Sequence, residues 1–591
     1  MHQPTIIPIL DDMKRLIDGN AMKSRLAILL GGFVLIVVCM IGLLPNSVVA
    51  ASSTTYVDPQ ITQSPCAKYN PSTKNCGTGA DTAYSTIAAA SAAATPGTTV
   101  LIRGGTYSEA LIPQTSGAPG QYITFKNYGT EQVFLGGETG IVLSNRRYIW
   151  VEGLHVEDRF WLEANNSEAD FANNFQNRSF NVIKSCIFKR TPASGTTGNI
   201  RFVRSHDNRL LDNTIEDGRD NIVLVGSDRN LVQRNKVTKG HHSLISVRCS
   251  NYNVIRDNFF ANPDQKGGEV YDCGQDTHAV PNSFNSTKHN LFENNVFAEA
   301  SEYYSSSGGN GIQYAGQEGI IRRNVFYKAN IGVSISTYDD EAAYNVNNRI
   351  YHNVFYNNDG AGIALGAGEV NNRFTNNILF ANKGCTPDCF ATTPGQILYE
   401  IDPTARPFWE TSTFSYNDIF YEQPGQAVIE QSESSGPGLS IANFNNEIAK
   451  VFLNSLEVNP QFVNAPAGDF RLQSGSPLID AGDFLTKTVE AKTDSTSMRV
   501  QDASYFFDGY GIAGEQGDLV QLQGGTVTVR VVAVDYGTNT LTLDHPLSWT
   551  AGQGVTLQFG GNGPDIGAFE TNLSTTIAPP AAPTNLRATA P

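Results

Sequence analysis

An asparagine followed by apolar residues recurs along the middle of this chain. It appears as Asp212-Asn213-Thr214-Ile215, Arg234-Asn235-Lys236-Val237, Asp257-Asn258-Phe259-Phe260 and Asn294-Asn295-Val296-Phe297. It continues through Arg323-Asn324-Val325-Phe326, His352-Asn353-Val354-Phe355, Asn376-Asn377-Ile378-Leu379 and Tyr416-Asn417-Asp418-Ile419-Phe420. The intervals are 22, 23, 37, 29, 29, 24 and 40 residues. A short period with insertions describes stacked coils sharing one interior, because each coil is too short to bury its own apolar face. Around each asparagine the chain alternates in short runs rich in Val, Ile and Phe, as in Asn253-Val254-Ile255-Arg256-Asp257-Asn258-Phe259-Phe260, which is the strand period. After residue 56 only the Ala-rich stretch Tyr84–Ala94 reads as a helix, placed to cap the open end of the core.

The recurring asparagine has a structural task. It tolerates the left-handed conformation of a turn, and its amide can bond backbone groups of its own coil and the asparagine above. Cys186, in Ser185-Cys186-Ile187-Phe188, and Gly153, in Glu152-Gly153-Leu154-His155, occupy the same turn in earlier coils. The pattern resembles the right-handed parallel β-helix of the pectate-lyase-like superfamily, over roughly residues 56–480. That resemblance implies an all-β fold class, a right-handed parallel β-helix (solenoid), with a small inserted C-terminal β-module.

Before the repeats, Lys23-Ser24-Arg25 precedes an apolar run from Leu26 to Leu44, and Val48-Val49-Ala50 offers small residues for cleavage. This reads as a signal peptide over 1–50, the alternative being an uncleaved membrane anchor. Residues 51–110 form an N-terminal cap and first coil, and 111–483 the β-helix. Residues 484–561 form the inserted module, 562–577 a closing motif and 578–591 a Pro/Ala-rich linker or tail. Ser476-Pro477-Leu478-Ile479-Asp480-Ala481-Gly482 with Gly563-Pro564-Asp565-Ile566-Gly567-Ala568-Phe569-Glu570 resembles the C-terminal motif of bacterial surface β-helix proteins. Insertions fall at 262–288, 299–310, 336–347 and 383–410, which in a solenoid map to one face. Of eight cysteines, Cys39 lies in the signal segment; among the other seven, Cys66 and Cys76 flank a short loop and are expected to pair, as are Cys385 and Cys389. Cys249 and Cys273, one coil apart, can bridge neighbouring coils, leaving Cys186 as the odd thiol.

The net charge of −16 argues against a nucleic-acid partner. It would also repel an acidic polysaccharide unless basic residues gather locally, and they do over residues 199–278. That stretch holds Arg201, Arg204, Glu216-Asp217-Gly218-Arg219-Asp220, Lys239-Gly240-His241-His242, Arg248, Lys266, Glu269 and Asp272. Residues at equal coil positions stack about 4.8 Å apart. An offset of 23 sets Asp217 beside Gly240 and Asp220 beside Ser243. Asp220, His241, His242 and Arg248 then share one outer surface. Adjacent His241 and His242 point to opposite faces of a strand, so one of them serves a site.

Two enzyme families on this fold can be compared. Gly218-Arg219-Asp220-Asn221-Ile222-Val223-Leu224, followed by Gly240-His241-His242-Ser243, is similar to polygalacturonase-type glycoside hydrolases. Asp220 and His241 match, and Arg219 stands where a second carboxylate is found. Leu244-Ile245-Ser246-Val247-Arg248 looks like the arginine-bearing coil of chondroitinase-B/alginate-lyase-type lyases, with Arg248 matching; the preceding strand lacks that family's Glu-x-Glu and Lys. A lyase neutralises a uronate carboxylate and then removes the acidified C5 proton. Arg248 or a bound Ca²⁺ is expected to do the first, and Lys239, His241 or His242 the second, with Asp220 beside them. Arg201, Arg204, Arg219 and Lys266 are expected to bind substrate, and Asp217, Glu269 and Asp272 are oxygen donors suited to Ca²⁺. The expectation is a secreted or cell-surface bacterial (extracellular or periplasmic) monomer acting on or binding acidic polysaccharide, with β-elimination foremost. A non-catalytic surface or matrix glycan-binding β-helix, a polygalacturonase-like hydrolase and a uronate epimerase are the alternatives.

Overall fold

The computed structural model describes residues 53–573, except 137–139, 158–160, 167–177, 190–198, 272–286, 301–308, 336–344, 367–368, 384–394, 401–410, 422–427, 432–438 and 448–449. The expected signal segment, the tail 578–591, Asp272, Cys273, Cys385 and Cys389 lie outside the described residues. Among those described, no helix is long and apolar enough to cross a membrane.

Three parallel sheets run through the repeats. Each coil contributes one strand to each, as in Arg209–Leu211, Thr214–Glu216 and Asp220–Val225, then Leu231–Gln233, Lys236–Thr238 and Ser243–Arg248. Counterparts pair in parallel a coil apart: Leu210 with Val232, Ile215 with Val237, Ile222 with Ile245. The chain is a parallel β-helix. Strand alternation sends one set of side chains inward, where like stacks on like. Phe260, Phe297, Phe326 and Phe355 are fully buried, with ring centroids 4.8, 5.1 and 4.9 Å apart, the spacing of the strands themselves. Each such ring contributes about 2–3 kcal/mol by leaving water.

Asparagines hold all three corners. Between the first and second sheets, the recurring asparagines of the sequence form a buried ladder. The Asn324 side-chain oxygen accepts from the Asn295 N–H at 2.9 Å and its amide at 3.0 Å, while Asn324 Nδ2 donates to Phe292 O at 2.9 Å and Asn353 Oδ1 at 3.1 Å. The same bonds join Asn213, Asn235, Asn258, Asn353, Asn377 and Asn417, and Cys186 N–H donates to Asn213 at the head of the ladder. A second ladder, Asn181, Asn208, Asn230, Asn253 and Asn290, holds the corner between the third and first sheets and resumes at Asn348 and Asn372. A third, Asn358, Asn382 and Gln396, holds the remaining corner. The left-handed residue is the one before each ladder asparagine, not the asparagine itself. Asp212, Arg234, Asp257, Asn294 and Arg323 all have φ of 54–57°. The asparagine's N–H and amide are committed to bonds along the axis, so the preceding residue makes the bend.

The ends are closed. The helix Ile87–Ala93 begins at Thr86, whose hydroxyl accepts from Ala89 N–H at 3.1 Å, while Glu109 accepts from Ile87 and Ala88 N–H at 2.8 and 3.0 Å. Its Ile87 and Ala90 seal the first coils. At the far end, Phe444 of helix Ile441–Glu447 packs on Tyr399 and Phe452. Cys66 and Cys76 form a disulfide, and Cys249 is disulfide-bonded to a residue outside those described. Cys186 is free, and burial pushes its thiol up to about 12.

The C-terminal part wraps outer faces. Residues Thr486–Leu557 build a six-stranded sheet with antiparallel pairing. Its apolar side packs on Val182, Leu231, Val254, Leu291 and Ile320 of the first sheet. Arg322 clamps that contact, 2.6 Å from Asp518 and 2.7 Å from Glu293. Phe462, Phe470, Leu478, Ile566 and Phe569 cover Val296, Val325, Val354 and Ile378 of the second sheet. Gly567 has φ 110°, and a Cβ there would meet Ile378 Cδ1 at 2.6 Å. The third sheet's outer rows hold Arg201, Ser246, Arg248, Glu269 and Tyr271 among Val203, Val223 and Val225. Two of the four expected insertions, 262–288 and 383–410, contain the third-sheet strands Lys266–Tyr271 and Ile397–Glu400; the other two, 299–310 and 336–347, adjoin Asn310–Tyr314 and Ile331–Ile335.

Asn324→Ala is expected to lower the unfolding free energy by about 3 kcal/mol, read by urea denaturation, because it strands buried donors and acceptors on both neighbouring coils; a loss under about 1 kcal/mol contradicts this. Glu369 is buried with neither carboxyl oxygen hydrogen-bonded, and burial raises its pKa well above 4.5. Such an acid contributes stability fully below its unfolded value and loses it as pH rises through the folded value. Glu369→Gln should therefore raise the melting temperature at neutral and alkaline pH and leave it nearly unchanged in acid below the unfolded value.

Candidate functional site

Three consecutive third-sheet strands, Asp220–Val225, Ser243–Arg248 and Lys266–Tyr271, set the polar face. Their register stacks Asp220, Ser243 and Lys266; Val223, Ser246 and Glu269; and Val225, Arg248 and Tyr271. Ile222 and Ile245, with Leu224, Val247 and Val270, point into the core and fix the strands from below. Gly267 is required by close packing, since a Cβ there would lie 2.6 Å from Gly311 O and 2.8 Å from Phe297 Cδ1.

Glu269 is the hub, with its side chain 0% exposed. One oxygen receives Lys266 Nζ at 2.5 Å and the Tyr271 hydroxyl. The other receives Ser246 Oγ at 3.3 Å and an Arg248 Nη2 at 3.4 Å. Arg248 Nε donates to Ser246 Oγ at 2.8 Å, and its guanidinium lies 5.1 Å from the Tyr271 ring centre. A buried carboxylate costs several kcal/mol in desolvation unless paired, and Lys266, 3% exposed, is the cation that repays it from within. Arg248 is 25% exposed.

His242 completes the cluster. Its Nδ1 is 2.7 Å from Asp220 Oδ1, and its Nε2 is 3.8 Å from Glu269 Oε1. Ser243 Oγ donates to the same Asp220 oxygen at 2.8 Å. Burial pushes the Asp220 carboxyl up, but the bonds from His242 and Ser243 and the charges of His242 and Arg248 outweigh it and hold the acid below its ordinary value. An ionised Asp220 takes the Nδ1 proton's hydrogen bond and leaves Nε2 as the basic nitrogen. The arrangement offers a basic imidazole beside a guanidinium, both about a quarter exposed.

The other expected residues fall elsewhere. His241 turns to Asp217 at 3.4 Å and Asp264 at 2.8 Å, half out in solvent. Lys239 is exposed at a left-handed turn, and Arg219 is exposed before the strand. Arg201 is half-buried in the outer row two strands before Ser246, and Arg204 bends the chain just after that strand with φ 50°. Lys266, expected to bind substrate, is instead held under the surface by Glu269. Asp217 and Glu269 contact different histidines, and among the described residues no group of three or more His, Cys, Asp or Glu is arranged to hold a metal ion. The Glu269 oxygens are already occupied by Lys, Arg and Tyr, which does not suit Ca²⁺ or copper. Sequence reading missed Ser246 and Tyr271. The 23-residue offset, applied once more, carries Ser246 onto Glu269 and Arg248 onto Tyr271.

Glu269→Ala is expected to destabilise the protein by about 3–5 kcal/mol by stranding buried Lys266, with Lys266→Met restoring much of the loss in that background. Urea denaturation reads both, and a single variant as stable as the parent contradicts the pairing.

Residues 119–317, less than half of the chain, match the family described as "Periplasmic copper-binding protein (NosD)". The uncharacterized protein YwoF of Bacillus subtilis (strain 168) is 27% identical over 324 residues, 47% of this chain and 66% of that protein. Among solved structures, pectate lyase Pel9A is similar at a TM-score of 0.41 and 14% identity, covering 88% of this chain and 96% of that one. The PL6 family alginate lyase AlyGC follows at 0.38 and 16%, covering 66% and 55%. The GH136 lacto-N-biosidase from Eubacterium ramulus gives 0.37 and 11%, covering 69% and 68%.

Proposed function

We propose that this chain is a secreted or periplasmic polysaccharide lyase acting on a uronate-containing glycan from the outer face of the third sheet. The observation that carries the reading is the Asp220–His242 pair set beside Arg248 on the outer face of the third sheet. In this reading Arg248 neutralises the uronate carboxylate and His242 Nε2 takes the C5 proton. The electrons of that C–H bond form the C4–C5 double bond, and the C4–O bond to the leaving sugar breaks. In this reading Tyr271, whose hydroxyl otherwise donates to Glu269, returns a proton to the leaving oxygen. Arg201, in the outer row of Ser246 and two coils from it, so about 10 Å along the axis, suits a carboxylate on a neighbouring sugar. The disulfides support an oxidising compartment, as does the apolar segment after Lys23-Ser24-Arg25.

A second reading, glycan binding without cleavage, is favoured by the engagement of both Lys266 and Arg248 by Glu269. Ultraviolet absorbance of the unsaturated product separates the two across alginate, pectate, glucuronan and glycosaminoglycans. The lyase reading expects absorbance to grow with at least one polymer. His242→Ala is then expected to lower kcat by about 10²–10⁴-fold, and Arg201→Ala to raise KM with little change in kcat. Retained polymer binding without any absorbance change supports the binding reading and removes the lyase one for those polymers.

A further inference from the structure

A cavity of about 650 Å³ opens between the corner of the first and second sheets and the C-terminal segments. This size suits a small ligand. Much of the interface around it is saturated with ion pairs: Arg322 with Asp518, Arg349 with Asp502, Arg256 with Glu515. The cavity interrupts that pattern. Arg323 lines it, and its guanidinium makes no hydrogen bond or ion pair among the described residues. Gln516, exposed at its rim, and Gln558, half-buried, also line it with side-chain amides that have no hydrogen-bond partner among the described residues. Glu570 lines it too, and its Oε2 is buried with no hydrogen-bond partner, while Oε1 accepts from Asp565 N–H at 3.0 Å.

We propose that this cavity binds a small hydroxylated carboxylate of the uronic-acid class, its carboxylate on Arg323 and its hydroxyls on Gln516, Gln558 and Glu570. The Arg323 guanidinium lies within electrostatic reach of Glu293 and Glu570 but is hydrogen-bonded to neither, so its N–H groups are open to an anion. Unused amides beside it call for hydroxyls that can both donate and accept. Burial first, then the nearby Asp565, push the Glu570 carboxyl up to about 8 against the opposing charge of Arg323. Below that value it is an acid able to donate to a sugar oxygen. The inference does not depend on polymer cleavage, because none of these residues belongs to the third-sheet cluster.

The test is calorimetric titration of the full secreted chain with glucuronate, glucose and acetate. Glucuronate is expected to bind saturably, and both glucose, which lacks the carboxylate, and acetate, which lacks the hydroxyls, at least about tenfold more weakly. Arg323→Ala and, separately, Gln516→Ala are each expected to weaken glucuronate by about tenfold, with the far-ultraviolet spectrum confirming folding. If Arg323→Ala fails to fold, Gln516→Ala decides. Binding is also expected to fade as pH rises through the Glu570 range. Absence of saturable binding overturns the proposal, as does equal affinity for acetate or glucose. Loss in Arg248→Ala with retention in Arg323→Ala overturns it too, and assigns the ligand to the third sheet.

Discussion

Buried asparagine amides bonded from coil to coil are the constraint on which the rest of this protein depends. An amide in the interior of a β-solenoid is costly unless both its oxygen and its nitrogen are satisfied. Here the oxygen accepts from the coil before, and the nitrogen donates to the next asparagine and to a backbone carbonyl. These bonds run along the axis at the spacing of the parallel sheets, so ladder and sheet enforce one register. Insertions of very different length can then leave the coils without shifting the strands on either side. Asn258 and Asn295 are bonded at 3.0 Å across a separation of 37 residues, as closely as Asn353 and Asn377 across 24.

That fixed register converts distant residues into neighbours. Ser246 and Glu269 stand side by side on an outer row only because their inward neighbours Ile245 and Gly268 are held in the interior stack. The C-terminal segments then divide the outer faces by chemistry. Apolar rows on the first two sheets are covered, while the third keeps a hub carboxylate, two cations, a tyrosine and an Asp–His pair. Within that cluster burial sorts the roles: Lys266 balances Glu269 from inside, and Arg248 and His242 reach the surface.

The fold was legible because its signal is periodic. An asparagine, one further residue and then an apolar one, repeated, needs no knowledge of tertiary contacts. The position of the left-handed residue was not legible, since it depends on the ladder having used the asparagine's own N–H. The second ladder is masked in the sequence where Gly319 stands in the asparagine row and only donates its N–H to Asn348. At the site, Asp220, His242 and Arg248 could be placed on one surface by the 23-residue offset alone. The separation of His241 from His242 could not be placed so well, because both lie in a bend before the strand, where strict alternation does not apply. The pairing of Lys266 with Glu269 is likewise a matter of side-chain burial, which charge counting along the chain does not reveal.

The central claim is that the polar face of the third sheet receives an acidic glycan. A crystal structure of the His242→Ala protein soaked with a uronate tetrasaccharide tests it most directly. The account predicts sugar density along the outer rows of the third sheet, with one carboxylate on Arg248 and its C5 facing the space left by the imidazole. Density confined to another face, or a bare third sheet at saturating ligand, would contradict it.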